Sequence, residues 1–528
     1  MAQYRLDNQQ IGQPGNRYEI MMVGTIDGQV VTTHNPLPTY QVGATATTAF
    51  GEPFAIPLTP VIQIDAVYGL NPRDWETFTA GNGSVSTNTS VITLSSGTSV
   101  GSYAVARSKE LLRYRPGQGA VTRFTAAFPT PNTYVTQRAG FTSQEQAIMI
   151  GYDGDNFGVV RMNGGKSDIR LLTIATGTVS SETATITLNN NVFSVSLTSG
   201  NTEQIASQIS AFNFGSSWLV EQVGSTIKIA STLNGPKTGT YNFSSTNTVT
   251  GSYSQIQTGV IDTLNWTYQT NFNVDTMDGS GNTTTNPSGV LFDPSKINVF
   301  QINYRWLGVG EIRYAMEDPN TGQLIFFHKE HYSGQHLTPH LDNPSLRLGY
   351  IAANKSNFVC ANTSTIGICM MGAIEGIRNA KGFSFSKSIS KSSLTSGTTH
   401  HLMSIRNALI FDGHFNLKNL RLKNLSMAYQ GNDPVELYII LSPTYNTRPL
   451  WTNINASEST VLYSETTSSI TMNTNSPLAT FIIPINGGDT RDVTDLNIEI
   501  SPNTNLAFAV KSGQNISSIS FSATWDEE

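Results

Sequence analysis

The clearest pattern in this chain is an alternation of apolar and polar positions, and it is strongest over residues 299–328. Every second position is apolar over Val299–Trp306 and again over Glu311–Glu317, and a turn-forming segment separates the latter from Gln323–His328. The positions expected to face a core are Phe300, Ile302, Tyr304, Trp306, Ile312, Tyr314 and Met316. A period of two is typical of strands with one buried face. The pattern therefore predicts three consecutive antiparallel strands, which need a second sheet to cover them.

One segment has a helical period instead. Asn201 can cap a helix, Gln204 follows three residues later, and Ile205, Ile209 and Phe212 then share one face. Alternating segments lie on both sides of it, so residues 174–257 are predicted to form a small ββαββ domain. Because the strand pattern of residues 103–172 resumes after residue 258, this domain is interpreted as an insert in a larger β domain.

These patterns predict a mainly β protein made of several antiparallel sandwiches of the concanavalin A-like or jelly-roll type, with a small α+β insert. The predicted parts are an extended N-terminal arm (1–50), a discontinuous sandwich (51–173 and 258–384), the insert (174–257), a linker (385–399) and a C-terminal sandwich (400–528). The linker prediction rests on the Ser/Lys/Thr-rich composition of that segment.

Composition agrees with a β protein and narrows the function. Charged residues make up 13% of the 528 residues, against about 25% in ordinary soluble domains. The surface must therefore carry Ser, Thr, Asn and Gln, which are poor helix formers. With a net charge of −6 and no long basic run, nucleic-acid binding is not expected. No secretory signal is visible and no apolar run is long enough to cross a membrane, so membrane insertion is not expected either.

The charge is unevenly distributed. Residues 381–423 contain seven Lys or Arg and one acid, whereas residues 430–528 contain eleven acids and three bases. Solvated faces are the ordinary explanation. Opposed faces that meet in an assembly are the alternative.

Two groups of residues are candidates for metal binding. Four of the eight histidines lie within 13 residues, and imidazoles would suit a transition metal. They are His328, His331, His336 and His340. Asp153 and Asp155 bracket Gly154 and could bind calcium, although a hairpin turn is the commoner reason for this sequence. Neither spacing matches a recognised metal motif, so no metal and no cofactor are expected.

No pattern predicts catalysis. Glu311, Glu317 and Asp318 are candidates for the carboxylate pair of a glycosidase, but no compact carboxylate motif surrounds them. Nucleophile-elbow and phosphate-loop motifs are absent from the sequence. The chain is therefore expected not to be an enzyme. Its two cysteines, Cys360 and Cys369, could pair, but we favour two buried thiols.

Several blocks between residues 100 and 380 resemble virion structural proteins of tailed phages and large double-stranded DNA viruses. The blocks are Leu112-Arg-Tyr-Arg-Pro-Gly-Gln-Gly119, Arg123-Phe-Thr-Ala-Ala-Phe128, Gln137-Arg-Ala-Gly140, Gly151-Tyr-Asp-Gly-Asp-Asn-Phe-Gly158, Asn273-Val-Asp-Thr-Met-Asp-Gly279, and Asp293-Pro-Ser-Lys with Tyr304-Arg-Trp-Leu-Gly308. This resemblance implies a location in the virion and, as partners, other virion proteins and further copies of the chain.

The same region is similar to concanavalin A-like (laminin-G-like) sandwiches. The similarity lies in Trp306-Leu-Gly308, which ends one strand, and in the turn Asp318-Pro-Asn-Thr-Gly322. That family often binds glycans, so the resemblance implies a host-surface glycan as a further partner. Tyr332 is the aromatic candidate for such a site. The metal-ligand pattern of the legume members of the family is not evident.

The sequence thus supports three functional hypotheses. The first is a virion structural protein, as a minor capsid, vertex or tail component that acts through assembly contacts. The second is a lectin-like protein that attaches to cell-surface glycans. The third is a glycan-cleaving enzyme, which would need two carboxylates in a cleft.

Overall fold

The computed structural model describes residues 25–26, 29–30 and 58–528, apart from residues 306, 356, 377–381, 467–468 and 472–476. The chain divides into two compact units, residues 1–56 and residues 57–528. In the first unit, strands β1 (Thr25–Ile26) and β2 (Gln29–Val30) pair antiparallel. The rest of the arm predicted over residues 1–50 lies outside the described residues.

The second unit begins with nine strands. They are β3 (Leu58–Asp65), β4 (Trp75–Ala80), β5 (Ser84–Asn88), β6 (Val91–Ser95), β7 (Tyr103–Ser108), β8 (Ala120–Ala127), β9 (Val135–Thr142), β10 (Ala147–Asp153) and β11 (Asn156–Asn163).

The region of the predicted insert follows. It contains β12 (Ser167–Ile174), β13 (Glu182–Leu188), β14 (Asn191–Leu197), α1 (Thr202–Ser210), β15 (Trp218–Val223), β16 (Thr226–Asn234), β17 (Asn242–Ser245) and β18 (Gly251–Gln257). Six more strands then complete the first sandwich. They are β19 (Thr263–Tyr268), β20 (Asn298–Tyr304), β21 (Ile312–Glu317), β22 (Leu324–Glu330), β23 (Arg347–Asn354) and β24 (Ser364–Glu375).

Two large antiparallel sheets form the first sandwich. One has the order β19-β11-β10-β9-β23-β7-β4, and the other has the order β22-β21-β20-β8-β24-β6-β5, with β3 also paired to β24. The predicted meander is confirmed as β20, β21 and β22. The inward positions Phe300, Ile302, Tyr304, Ile312, Tyr314 and Met316 are each at most 1% exposed. Trp306 lies outside the described residues. Alternation therefore identified the inner face of this sheet correctly.

The insert has two sheets, β15-β16-β12-β18 and β14-β13-β17, whose core contacts α1. The predicted helix is confirmed, with a capping box between Asn201 and Gln204. Phe212 lies two residues past the helix end and is only half-buried. One boundary is wrong: residues 167–173, assigned to the larger domain, belong to β12, which pairs with β16 and β18. The strand count is also larger than ββαββ, because β17 and β18 complete the sheets.

The remaining strands form a second sandwich. They are β25 (Phe383–Leu394), β26 (His400–Asn407), β27 (Ile410–Phe411), β28 (His414–Phe415), β29 (Leu420–Gly431), β30 (Val435–Leu441), β31 (Thr444–Tyr445), β32 (Thr452–Asn453), β33 (Val461–Ser464), β34 (Ile470–Thr471), β35 (Ala479–Ile483), β36 (Gly488–Asp492), β37 (Glu499–Ile500), β38 (Asn505–Ser512) and β39 (Ile516–Glu527). Its sheets have the orders β25-β39-β29-β36, with β37 beside β29, and β32-β33-β26-β38-β30-β35.

The linker predicted over residues 385–399 is wrong, because most of it is strand β25. This strand pairs with β39 without a bulge from Phe383↔Glu527 to Leu394↔Ile516. Its serines point to the open face of the sheet, while Phe385, Ile389 and the stems of two lysines lie on the face toward the core. A strand with one such hydroxyl face has the composition of a loop but the alternation of a sheet. The fold class itself is confirmed: mainly β, antiparallel sandwiches, with a small α+β insert.

A buried seam joins the insert to the second sandwich. The Glu221 side chain on β15 is fully buried, and its carboxylate accepts hydrogen bonds from the backbone N–H of Leu409 (2.7 Å) and of Ile410 (3.4 Å). The guanidinium of Arg406 lies 3.9 Å from the same carboxylate. The apolar part of this seam consists of Val223, Ala408, Trp451 and Leu462. The two parts are therefore held by specific polar contacts inside a buried interface.

Candidate functional site

The four clustered histidines do not converge on one point. His328 on β22 and His340 are buried, whereas the His331 side chain is 58% exposed and His336 is also exposed. The His328 ring stacks on Phe272 and on Tyr314, with ring centroids 5.5 and 5.9 Å apart. Burial, together with the nearby imidazole of His331, lowers the pKa of His328 to about 4. The two buried rings are thus neutral members of the core.

Tyr332 is buried rather than available to a ligand. Only 6% of its surface is exposed, the His336 ring lies 3.9 Å from its own, and the guanidinium carbon of Arg161 lies 5.0 Å from its ring centroid. Arg161 also donates to Glu330 (2.6 Å) and to the carbonyl of His340 (3.0 Å). The prediction of Tyr332 as a glycan-stacking residue is therefore wrong, because its ring is buried in a cation–π contact with Arg161.

Within the described part of the chain, no set of three or more His, Cys, Asp or Glu side chains is placed to hold a metal ion. Asp153 accepts hydrogen bonds from Tyr268 (3.0 Å) and Lys355 (2.6 Å), and Asp155 accepts one from Thr133. Gly154 between them has a φ of +66°, a conformation typical of glycine in tight hairpin turns. The two aspartates thus connect the β10–β11 turn to neighbouring segments.

The carboxylates considered for catalysis do not form a pair. Glu311 accepts from Arg313 and lies 3.2 Å from the His331 imidazole. Six residues of extended strand separate Glu311 from Glu317, which is about 20 Å at roughly 3.3 Å per residue. A glycosidase needs roughly 5–9 Å. Asp318 closes a turn, where hydrogen bonds from the backbone of Asn320 and from Thr321 lower its pKa.

The sequence left open whether the two cysteines pair. The structure has both as free thiols, with Cys360 buried and Cys369 exposed. The prediction of two buried thiols is therefore wrong for Cys369, which lies on β24 at a bulge beside β8.

An exposed aromatic pair lies at the end of the first sandwich, close to Asp153. Tyr134 is 48% exposed and Phe358 is 69% exposed, with ring centroids 6.5 Å apart. The backbone N–H of Lys355 donates to the carbonyl of Tyr134 (2.9 Å), and its ammonium contacts Asp153. Two exposed aromatic side chains beside a carboxylate and an ammonium group are suited to a polar ligand with apolar patches, such as a saccharide.

Sequence reasoning missed this aromatic pair. Tyr134 and Phe358 lie in different loops, and only the pairing of β9 with β23 brings these loops together. The usable signal was aromatic residues in otherwise polar turn segments, at Asn132–Tyr134 and Asn357–Phe358.

No protein-family model matches the chain, and no curated protein matches it. Among solved structures, it is similar to the carbohydrate recognition domain of Emp47p, with 9% identity over 61% of this chain and 97% of that one and a TM-score of 0.25. It is also similar to a lectin from Bauhinia forficata in complex with GalNAc (12% identity, 61% and 100% coverage, TM-score 0.21). A third match is the triple jelly roll of an archaeal virus turret assembly (9%, 75% and 90%, TM-score 0.14). These likenesses concern the fold alone.

No helix in the described segments has both the length and the apolar character needed to cross a membrane.

Proposed function

We propose that this chain is a structural protein of a virus particle, a minor capsid, vertex or tail component that acts through contacts with other copies and with other virion proteins. The observation that carries this proposal is the buried seam around Glu221. Domains joined by small polar interfaces move relative to one another by default. Here a buried carboxylate and the apolar contacts of Trp451 fix the insert to the second sandwich.

Other contacts extend this rigid body to the first sandwich. The Gln144 side chain donates to the carbonyl of Thr232, and the Asn234 side chain donates to the carbonyl of Gln144 (3.0 Å). Arg115 in the first sandwich lies 3.7 Å from the carboxylate of Glu528 in the second. A rigid body with broad sheet faces suits assembly, because repeated copies multiply weak contacts through effective concentration. The resemblance of residues 100–380 to virion structural proteins supports the same function.

Two measurements test this proposal. The first is peptide mass spectrometry of purified particles from the source of the sequence, in which we expect this chain at a fixed ratio to the main capsid protein. The second is the mass of the purified chain in solution at increasing concentration, where we expect self-association. A chain that is absent from purified particles would contradict the proposal.

The exposed aromatic pair supports a second candidate function, glycan binding. A saccharide could stack on Tyr134 and Phe358 and hydrogen-bond to Asp153 or Lys355. This function is compatible with the first, because a virion protein can also carry a receptor site. It does not require the chain to be an enzyme, and we propose that it is not one.

A glycan array tests this second function on the purified protein. Y134A and F358A should each abolish binding to any glycan that the wild type retains. Y68A is a matched control, since Tyr68 is fully exposed and is outside the pair. A wild type that binds no glycan, or binding that survives both substitutions, would refute the site. A hydrolysis assay on the same glycans separates binding from cleavage.

A further inference from the structure

Strand β25 forms a long, unprotected sheet edge. It has 12 residues and lies at the end of the order β25-β39-β29-β36. It pairs with β39 in one continuous register, so its other side has no strand beside it among the described residues. In an antiparallel strand, alternate residues direct their N–H and C=O groups to each side. About six residues of β25 thus present unpaired backbone groups.

Edge strands often carry lysines that keep other strands away, and β25 has two of them. Both side chains fold back onto their own chain. The ammonium of Lys387 lies 4.0 Å from the ring centroid of Tyr463, and that of Lys391 donates to the carbonyl of His401 (2.8 Å). The lysines therefore give this edge a positive charge, but their contacts hold the ammonium groups over the inner side of the sheet.

The opposite edge of the same sheet has the opposite charge. Strand β36 and the turn after it carry Asp489, Asp492 and Asp495 against Arg491, a net charge of −2. Residues 383–394 carry Lys387 and Lys391 and no acid, a net charge of +2. Like charges placed directly opposite destabilise a strand pair, so two β25 edges repel each other, whereas a β25 edge and a β36 edge attract.

Hydroxyl side chains cross the open face between the two edges. One row across it consists of Ser388, Ser522, Ser426 and Thr490, each in register with the next. The groove above this face has a volume of about 560 Å³. Three successive antiparallel pairings make β36 run opposite to β25. A second copy placed beside the first would therefore continue the same antiparallel pattern, and its row of hydroxyl groups, without a break.

From this geometry we propose that β25 of one copy pairs with β36 of the next, so that the sheet continues from copy to copy in a head-to-tail contact. The inference rests on the proposed assembly function and names the surface that carries it. Such a contact is heterologous, and it generates a ring or an open row of copies rather than a closed two-fold dimer.

The experiment places charges at the two ends of the hydroxyl row. S388E puts an acid on the basic edge, and T490K puts a base on the acidic edge. Both positions are exposed, and neither side chain carries core packing. T283E adds the same charge as S388E at an exposed position of the first sandwich, outside the sheet that carries both edges, and is the matched control. Self-association of the full-length chain is measured by sedimentation velocity, and circular dichroism checks the fold of each variant.

We expect S388E and T490K each to weaken self-association by about tenfold. The S388E/T490K double variant should recover it, and T283E should match the wild type. Raising the salt from about 0.05 M to about 0.5 M should weaken the wild type in the same direction, because screening shortens the reach of the charges. Self-association that is unchanged in both single variants overturns the edge pairing. A double variant that associates no more strongly than S388E alone also overturns it. A wild type that stays monomeric at every concentration also overturns it. The virion function is decided separately, by the presence of the chain in particles.

Discussion

The seam between the insert and the second sandwich makes one strong prediction, at Glu221. Its carboxylate is the acceptor for the N–H groups of Leu409 and Ile410, at 2.7 and 3.4 Å, and the side chain is fully buried. Replacing it with alanine leaves both N–H groups buried without their acceptor. It also removes the nearest anion from Arg406, 3.9 Å away.

The expected cost follows from these contacts. A hydrogen bond to a charged group contributes about 1.5–3 kcal/mol, and an unsatisfied buried donor costs about 1–3 kcal/mol. The 2.7 Å bond is strong and the 3.4 Å bond is weak, so E221A should lower the free energy of unfolding by about 3 kcal/mol. E221Q keeps one acceptor oxygen but turns an amide N–H₂ toward the second donor, and should lose about half as much.

Urea unfolding of the wild type, E221A and E221Q measures these differences. Unfolding is monitored by tryptophan fluorescence, to which the seam residue Trp451 contributes. E203A is the matched control, since Glu203 is an exposed acid in the same insert and its loss should cost less than about 1 kcal/mol. An E221A variant within about 0.5 kcal/mol of the wild type would refute the argument that this carboxylate holds the seam.

Three further predictions concern protons and thiols. Burial acts to raise the pKa of Glu182, but hydrogen bonds from neighbouring hydroxyl and backbone groups outweigh it and hold the pKa at about 2. The contribution of the Glu182 carboxylate to the free energy of unfolding should therefore be complete above pH 4.5 and disappear toward pH 2. The stability difference between the wild type and E182Q, measured by urea unfolding across that range, checks this, and a difference that does not shrink contradicts it. Burial lowers the pKa of His328 and of His340 to about 4. The free energy of unfolding should therefore be highest above pH 6.5 and decrease as the pH falls to 4, because the unfolded chain binds protons that the folded chain does not. An H328F/H340F variant whose free energy of unfolding decreases equally over this range would be evidence against this. A thiol reagent should label Cys369 rapidly in the native protein and Cys360 only after unfolding, and mass spectrometry of the labelled peptides would detect the opposite order.

The local elements of this fold were accessible from the sequence. The alternation over residues 298–317 and the cap at Asn201 both depend on neighbours within a few positions along the chain. The structure confirms them with shifts of one or two residues at their ends. Strand β12 is different, because its partners are distant in the chain. Its own pattern cannot specify whether it pairs with β11 or with β16, more than 50 residues away.

The candidate sites show the same division. The candidate histidine cluster consists of residues that are close along the chain. In the fold they do not converge, because the His328 side chain is buried and the His331 side chain is exposed. The sequence could not bring Tyr134 to Phe358, because their proximity comes from strand pairing across about 220 residues. Burial also depends on what covers a side chain. The residues around Tyr332 have the composition of an exposed loop, yet Arg161 from β11 lies over the Tyr332 ring.

The misassigned linker shows why polar strands are hard to recognise and why they matter here. Over Phe383–Lys391 the alternation is present, but lysines occupy two of the inward positions, and the linker prediction rested on the Ser/Lys/Thr-rich composition instead. A lysine contributes a four-carbon stem to an apolar face while its ammonium reaches a polar partner. Lys391 does this by donating to the carbonyl of His401. A strand built in this way needs no covering layer on its serine face. It can therefore lie at a sheet edge with its backbone groups open, as a surface for assembly requires.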